Sequence, residues 1–195
     1  MTKRLAAVLF HLDTEMDEIS TILSRSDVPY TFATVDGQQL HSCNAYRADG
    51  VEDRTVIDNA DYIMLVEGKF TDEARVIPSG KKILYIDHHH EWDFGYKYSY
   101  KRFMDGSSIG QVISKLAQCN KLLNQFHLAT PNLLQYSHWV RGTFILYDGK
   151  WCVWARNGAG EGYILRKIPQ RLVNIAAVDH CPKAAWDDKC PGVVF

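Results

Sequence analysis

Three clusters of acidic and histidine side chains each follow directly on a short apolar run. His11, Asp13 and Glu15 alternate after residues 5–10, Glu67 follows residues 62–66, and Asp87-His88-His89-His90 follows residues 83–86. Imidazole combined with carboxylates is a ligand set suited to manganese or another borderline divalent ion. A carboxylate such as Glu67 offers two oxygens that can each take a different ion. Of two consecutive histidines, one can ligate while the next hydrogen-bonds a phosphoryl oxygen or protonates a leaving group. Each cluster also has a plainer use. Asp13 and Glu15 suit a helix N-terminus, Glu67 a solvated turn, and the histidines, His90 above all, a polar loop.

The elements that must position these groups decide between the two uses. Continuous apolar runs of four to six residues suit strands buried on both faces, as in a parallel sheet. Helical patterns lie between and after them. Thr14 is the expected cap of a helix carrying Met16, Ile19, Ile22 and Leu23 on one face, with Asp17 at the third position of a capping box. Thr71 is the expected cap of a shorter helix running to Val76 and Ile77 and stopped by Pro78 and Gly80. Ile109, Val112, Ile113 and Leu116 recur at helical spacing behind Gly106-Ser107-Ser108. The expected fold is α/β, a parallel sheet with helices on both faces and right-handed crossovers, over residues 1–120. Ligands in such sheets bind beyond the carboxyl ends of the strands, where all three clusters fall. The backbone N–H groups of Ser107 and Ser108, at a helix start, could help to hold a phosphate.

Residues 121–195 read as a small α+β region. Two β-patterned stretches, 142–147 and 151–154, flank Asp148-Gly149-Lys150, a strong hairpin signal because Asp-Gly supplies the positive φ angles of a tight turn. Residues 156–162 read as a loop and residues 172–178 as a last strand. Trp151 and Trp154 could stack nucleobases, although packing in a core is the commoner use of tryptophan. Asp179-His180-Cys181 with Cys190 lacks the Cys-x-x-Cys pair of a structural zinc site.

Composition narrows the class. With 46% hydrophobic and 23% charged residues in 195, the chain is globular rather than disordered. Twenty-two Lys+Arg against 23 Asp+Glu leave a formal net charge of -1, which argues against binding duplex nucleic acid by neutralising many phosphates. A small phosphorylated substrate or a short single-stranded oligonucleotide remains open. The N-terminal apolar run is too short to span a membrane, and five scattered cysteines suit reduced thiols, so a cytoplasmic protein is expected.

Asp87-His88-His89 at a strand end resembles the signature of the DHH phosphoesterase superfamily, which includes RecJ-type exonucleases, oligoribonucleases, cyclic-dinucleotide phosphodiesterases and family II pyrophosphatases. Residues 10–15 resemble its first motif, a histidine followed by two alternating aspartates. Residues 60–67 resemble the second, an apolar strand ending in a bridging aspartate, and Gly106-Ser107-Ser108 the small-residue turn after the signature. The resemblance spans residues 5 to about 118. It implies two divalent ions, with His11 and Asp13 on one, Glu15 and His88 on the other, and Glu67 between them. It further implies that Asp87 orients its neighbours and that His89 faces the substrate phosphate. A fourth family motif would place one more metal-binding aspartate at Asp148, in competition with the hairpin. The Gly-rich phosphate contact of the family's second domain has only a loose echo in residues 156–160, beginning at Arg156.

Two departures keep alternatives open. Glu15 and Glu67 stand where the family has aspartate, and the extra methylene moves the carboxylate by roughly 1 Å, enough to lower catalysis about a hundredfold. The C-terminal region has room only for a remnant of the substrate-binding domain. A non-catalytic metal- or nucleotide-binding module on the same fold, and an interaction protein with incidental histidines, are the competing expectations.

Overall fold

The computed structural model describes residues 4–119, 121, 128–129, 142–156 and 163–195. The chain forms two compact units, Met1–Tyr96 and Lys97–Phe195. Among the described residues no helix is long and apolar enough to cross a membrane.

The first unit runs β1 (Leu5–Leu9), α1 (Thr14–Arg25), β2 (Tyr30–Val35), β3 (Gln38–Gln39), a 3-10 helix (Ser42–Arg47), β4 (Gly50–Val51), α2 (Arg54–Asp58), β5 (Tyr62–Val66), α3 (Glu73–Val76) and β6 (Lys82–Ile86). Its sheet has the order β3-β2-β1-β5-β6. The strands β2, β1, β5 and β6 are parallel, while β3 and β4 pair antiparallel with β2. From β1 the chain crosses through α1 to β2 on one side, and from β5 through α3 to β6 on the other. Right-handed crossovers in opposite directions put α1 and α3 on opposite faces. The packing follows that geometry. Ala6, Val8 and Phe10 share a buried cluster with Ile57 of α2, Ile63 and Leu65 of β5, and Val76 of α3. Leu5, Ala7 and Leu9, alternating with them, point to the other face and are buried as well. A strand buried on both sides has to be apolar throughout, and β1 is.

The strand β2 is a fourth parallel strand beyond the three expected. Its sequence, Tyr-Thr-Phe-Ala-Thr-Val, interleaves polar residues and lacks the unbroken apolar run of β1. It has β3 and β4 on its outer edge, so its burial is uneven. The helix starts are also one residue from expectation. Asp13, not Thr14, caps α1, its carboxylate accepting from the Met16 N–H, and Asp72, not Thr71, caps α3. A carboxylate at the cap also meets the positive end of the helix dipole, which a hydroxyl does not exploit as well.

The second unit contains a 3-10 turn (Tyr100–Arg102), α4 (Phe103–Gly106), α5 (Ser108–Gln118), β7 (Leu128–Ala129), β8 (Phe144–Tyr147), β9 (Lys150–Arg156), β10 (Tyr163–Lys167), α6 (Gln170–His180) and α7 (Pro182–Trp186). Its sheet is antiparallel in the order β7-β10-β9-β8. The expected hairpin is β8–β9, turning on Asp148 (φ 49°) and Gly149 (φ 67°), the pair of positive φ angles of a type I′ turn. Two expectations are corrected here. The boundary lies at Tyr96/Lys97 and not near residue 120, because α5 packs on β9 and α6 and so belongs to the second unit. Residues 172–178 lie within a helix, not a strand. Leu172, Val173, Ala176 and Ala177 form the buried stripe of α6, a spacing of helical period that a short apolar run conceals. Trp151 and Trp154 are buried, Trp151 donating from its indole to the Pro191 carbonyl, so both pack rather than present a stacking surface.

Candidate metal centre

Register brings the three clusters to one edge. Leu9 pairs with Val66, and Val66 with Ile86, so β1, β5 and β6 end in a single row. Pairing continues one step further, with Phe10 N–H donating to Val66 and Glu67 N–H to Ile86. His11, Glu67 and Asp87-His88 therefore leave the sheet side by side. This edge is also where the strand order reverses, between β1 and β5, the position at which open α/β sheets hold ligands.

Glu67 is the hub. Its carboxylate lies 3.3 Å from His11 Nε2 on one side and 4.0 Å from His88 Nδ1 on the other. His11 Nε2 is 3.0 Å from Asp13 Oδ2. Donor atoms of His11, Asp13 and Glu67 form one group within 4.8 Å of one another, those of Glu67, His88 and His89 a second, and a Glu15 oxygen is within the same distance of Glu67. Two ligands about 2.1 Å from one ion and about 90° apart are about 3 Å from each other, so the 3.0 and 3.3 Å separations fit a shared small cation. Glu15 and Glu67 are each 2% exposed, His11 7% and His88 8%. Two carboxylates that deep and that close are costly without compensating charge. His11 Nδ1 is buried with no hydrogen-bond partner among the described residues. The donor set, burial and spacing all fit a divalent-metal centre.

The imidazole and its acids are electrostatically linked. Burial works to lower the His11 pKa, but the hydrogen bond to Asp13 and the charge of Glu67 outweigh it and raise the pKa above the usual histidine value. Burial likewise opposes ionisation of Asp13, yet the His11 hydrogen bond and the Met16 N–H hold its carboxyl below the ordinary range. Asp13 therefore caps α1 through Oδ1 and reaches His11 through Oδ2.

Backbone strain sits at the hub. Glu67 has φ 57°, in the left-handed region that few residues other than glycine enter, and such outliers gather at functional sites. The next residue must be glycine for a different reason. A Cβ on Gly68 would lie 2.3–2.6 Å from Cβ, Cγ and Cδ1 of Phe10, whose ring is buried against Phe70 at 5.0 Å. Because Phe10 immediately precedes His11, Gly68→Ala is expected to destabilise the protein by about 2 kcal/mol and to weaken metal binding together with it. Urea unfolding and metal titration of the same variant check this; an unchanged midpoint contradicts the packing argument.

Asp87 organises the histidines. Its Oδ1 accepts from the backbone N–H groups of His88 and His89 and from His89 Nδ1 at 2.8 Å, and its Oδ2 accepts from the Tyr46 hydroxyl at 2.8 Å. Burial raises the carboxyl pKa, but these bonds, led by those of His89 and Tyr46, bring it down to about 2. With its proton on Nδ1, the neutral His89 ring has Nε2 as its basic nitrogen. The depressed pKa fixes the sign of a pH effect: the carboxylate stabilises the fold above its unfolded pKa of about 4, and that contribution fades as pH falls towards 2. In metal-free protein, Asp87→Asn is expected to lower stability by on the order of 2 kcal/mol at neutral pH, with the gap to the parent protein closing between pH 4 and 2. Urea midpoints at pH 6, 4, 3 and 2 test it, and a gap that is constant with pH contradicts it.

The loop after the histidines is pinned by Asp93, which is buried, accepts from His90 N–H and faces Lys69 at 3.8 Å. Gly95 N–H closes back on the Asp87 carbonyl. The ring of His90 lies between those of Tyr46 and Trp92, at 4.8 Å from each, so it packs in this loop. Neither Tyr46 nor Asp93 was expected from sequence. Tyr46 comes from the 3-10 helix, far from any cluster, and only the tertiary fold brings it to Asp87.

The remaining candidates lie in the second unit. Asp148 is an exposed turn residue and belongs to none of the potential metal clusters among the described residues; the turn accounts for it. Ser107 and Ser108 are fully buried, and the Ser107 hydroxyl is spent capping α5 by accepting from Gly110 N–H. Arg156 ends β9, and its side chain and residues 157–160 lie outside the described residues. Compared with family models, curated proteins and solved structures, the chain matches none.

Proposed function

We propose that the first unit is the catalytic domain of a cytoplasmic, DHH-type phosphoesterase that hydrolyses a small phosphodiester or phosphoanhydride with two divalent ions, manganese suiting the donor set best. One observation carries this reading: the buried Glu67 carboxylate stands between the His11–Asp13 group and the His88–His89 group at the switch point of a parallel sheet. In this assignment His11 and Asp13 hold one ion, His88 and Glu15 the other, and Glu67 both. When bound, such a pair supplies a nucleophile at neutral pH and charge for the phosphorus oxygens. His89, oriented through Nδ1 by Asp87 and the more exposed of the two rings, turns Nε2 to the chemistry: once that nitrogen is protonated, the imidazolium holds the substrate phosphate or gives the Nε2 proton to the leaving oxygen. A net charge of -1 favours a small phosphorylated molecule or a short single strand over duplex nucleic acid.

The test is direct. Purified protein is analysed for bound Mn, Fe, Co and Zn, then assayed with Mn²⁺ against a generic bis-phosphate ester, short oligonucleotides, cyclic dinucleotides and pyrophosphate. Turnover that chelation abolishes and Mn²⁺ restores is the expected result. Metal bound with no turnover on any substrate favours instead a binding module, a reading that the glutamates at positions 15 and 67 support. No metal bound at neutral pH removes both.

A further inference from the structure

The C-terminal end of the second unit carries a feature that the metal centre does not use. Cys181, between α6 and α7, and Cys190, after α7, place their sulfurs 3.1 Å apart. A disulfide bond is 2.03–2.05 Å long, so closure asks for about 1 Å of sulfur movement. The two cysteines bracket α7, and the chain beyond Cys190 lies back on the unit. Pro191 accepts from the Trp151 indole, Gly192 from Gln170, and Val194 both accepts from and donates to Asn174. Cys190 is buried, whereas Cys181 is half-buried and lines an open cleft of about 390 Å³ that also presents Lys183, Asp187 and Lys189. The cleft gives a small molecule access to one sulfur of the pair; Lys189 is paired with Asp187 at 2.9 Å, and Lys183 leaves the lining with one positive charge in excess, which suits an anionic molecule.

We propose that Cys181 and Cys190 form a redox modification site, a dithiol that closes to a disulfide by exchange with a small anionic disulfide of the glutathione class and ties the C-terminal segment to the end of α6. The Cys181 thiolate attacks one sulfur of the acceptor and releases one thiol. Cys190 then attacks the mixed disulfide at Cys181 and releases the second. One S–S bond forms in the protein as one breaks in the acceptor, and the two protein protons leave on the two released thiols. Burial and the hydrogen bond to Cys190 push the Cys181 thiol up to about 12, so little thiolate is present at neutral pH and exchange is slow, while the reduced pair also lacks the thiolate stabilisation that makes strongly oxidising pairs easy to reduce. Cytosolic disulfides of this kind are characteristically reversible.

The experiment uses the whole chain, with Cys43 and Cys119, both exposed, replaced by serine to remove competing thiols. The folded protein is equilibrated in glutathione buffers from fully reduced to fully oxidised, alkylated, and digested with trypsin. Because Lys183 and Lys189 separate the two cysteines, closure links the peptides 172–183 and 190–195. The expected result is that linked pair in oxidising buffer, its loss on adding dithiothreitol, and a Tm about 5–10 °C higher in the oxidised form, the rise for a ten-residue ring in a chain of this size. Cys181→Ser and Cys190→Ser should each abolish the linked peptides and the Tm difference. Two freely alkylated cysteines in fully oxidised buffer, or stable glutathione adducts at Cys181 without closure, overturn the proposal. None of these outcomes depends on whether the first unit binds metal.

Discussion

On the proposed two-metal reading, Glu67→Gln is expected to leave a folded protein that has lost at least one of two bound ions and about a thousandfold in turnover. The substitution keeps volume and hydrogen-bonding shape but removes the negative charge from the group nearest both histidine clusters. A neutral amide offers one oxygen donor where the carboxylate offers two, so it cannot serve two ions at once. The fold should tolerate the change, because β5 and its register depend on Tyr62–Val66 and on the Glu67 N–H, which glutamine retains. Circular dichroism therefore reports little while metal content falls. Glu67→Asp separates charge from reach: the carboxylate retracts by roughly 1 Å, and a change in rate of about a hundredfold in either direction is the scale such a displacement carries. Retention of full metal stoichiometry and rate within twofold by Glu67→Gln would remove the hub from the mechanism. The largest loss is expected here, rather than at Asp13 or His88, because each of those serves one group only.

Much of this sheet edge is legible in the sequence. An apolar run of strand length announces its own end, and the residues just beyond the end of a parallel strand are bound to meet those of its neighbours. That reasoning brings His11, Glu67, Asp87 and His88 to one edge. It does not reach Tyr46, because nothing in a 3-10 turn marks which tyrosine will meet a carboxylate 41 residues away. The strand β2 escaped for the opposite reason to β1, since threonines interrupt its apolar pattern. In α6 the apolar residues fit two periods, because residues 172–178 contain enough Leu, Val, Ile and Ala to suit either a strand or a helical stripe. Asp148 shows two local signals in conflict, and the turn chemistry of Asp-Gly accounts for the residue without any ligand. The domain boundary was misplaced because α5 looks, by its apolar face alone, equally able to cover either unit.

The small residues after the histidines carry the second large effect. Gly110→Ala would ordinarily strengthen a helix, since alanine is favoured over glycine by roughly 1 kcal/mol in a helix interior. In α5 the sign is reversed. A Cβ on Gly110 would stand 1.8 Å from the carbonyl oxygen of Met104 in α4 and 3.0 Å from the Ser107 hydroxyl. Neither obstacle is the free end of a flexible side chain: one is backbone, and the other is fixed as the α5 cap by the Gly110 N–H itself. Relief needs α4 and α5 to separate, which opens a junction where Phe103, Met104, Ile109 and Val112 are all fully buried. The net destabilisation is expected to exceed about 3 kcal/mol, at or beyond the usual range for overpacking. Ser107→Ala, which removes the cap but adds no atoms, should cost about 1 kcal/mol. Urea unfolding of the two variants therefore ranks a steric cause against a hydrogen-bonding one. If Gly110→Ala matched or exceeded the stability of the parent protein, the close approach of α4 to α5 would be refuted, and Gly106, Ser107, Ser108 and Gly110 would need another reason for their small side chains, of which a bound phosphate is the first to examine.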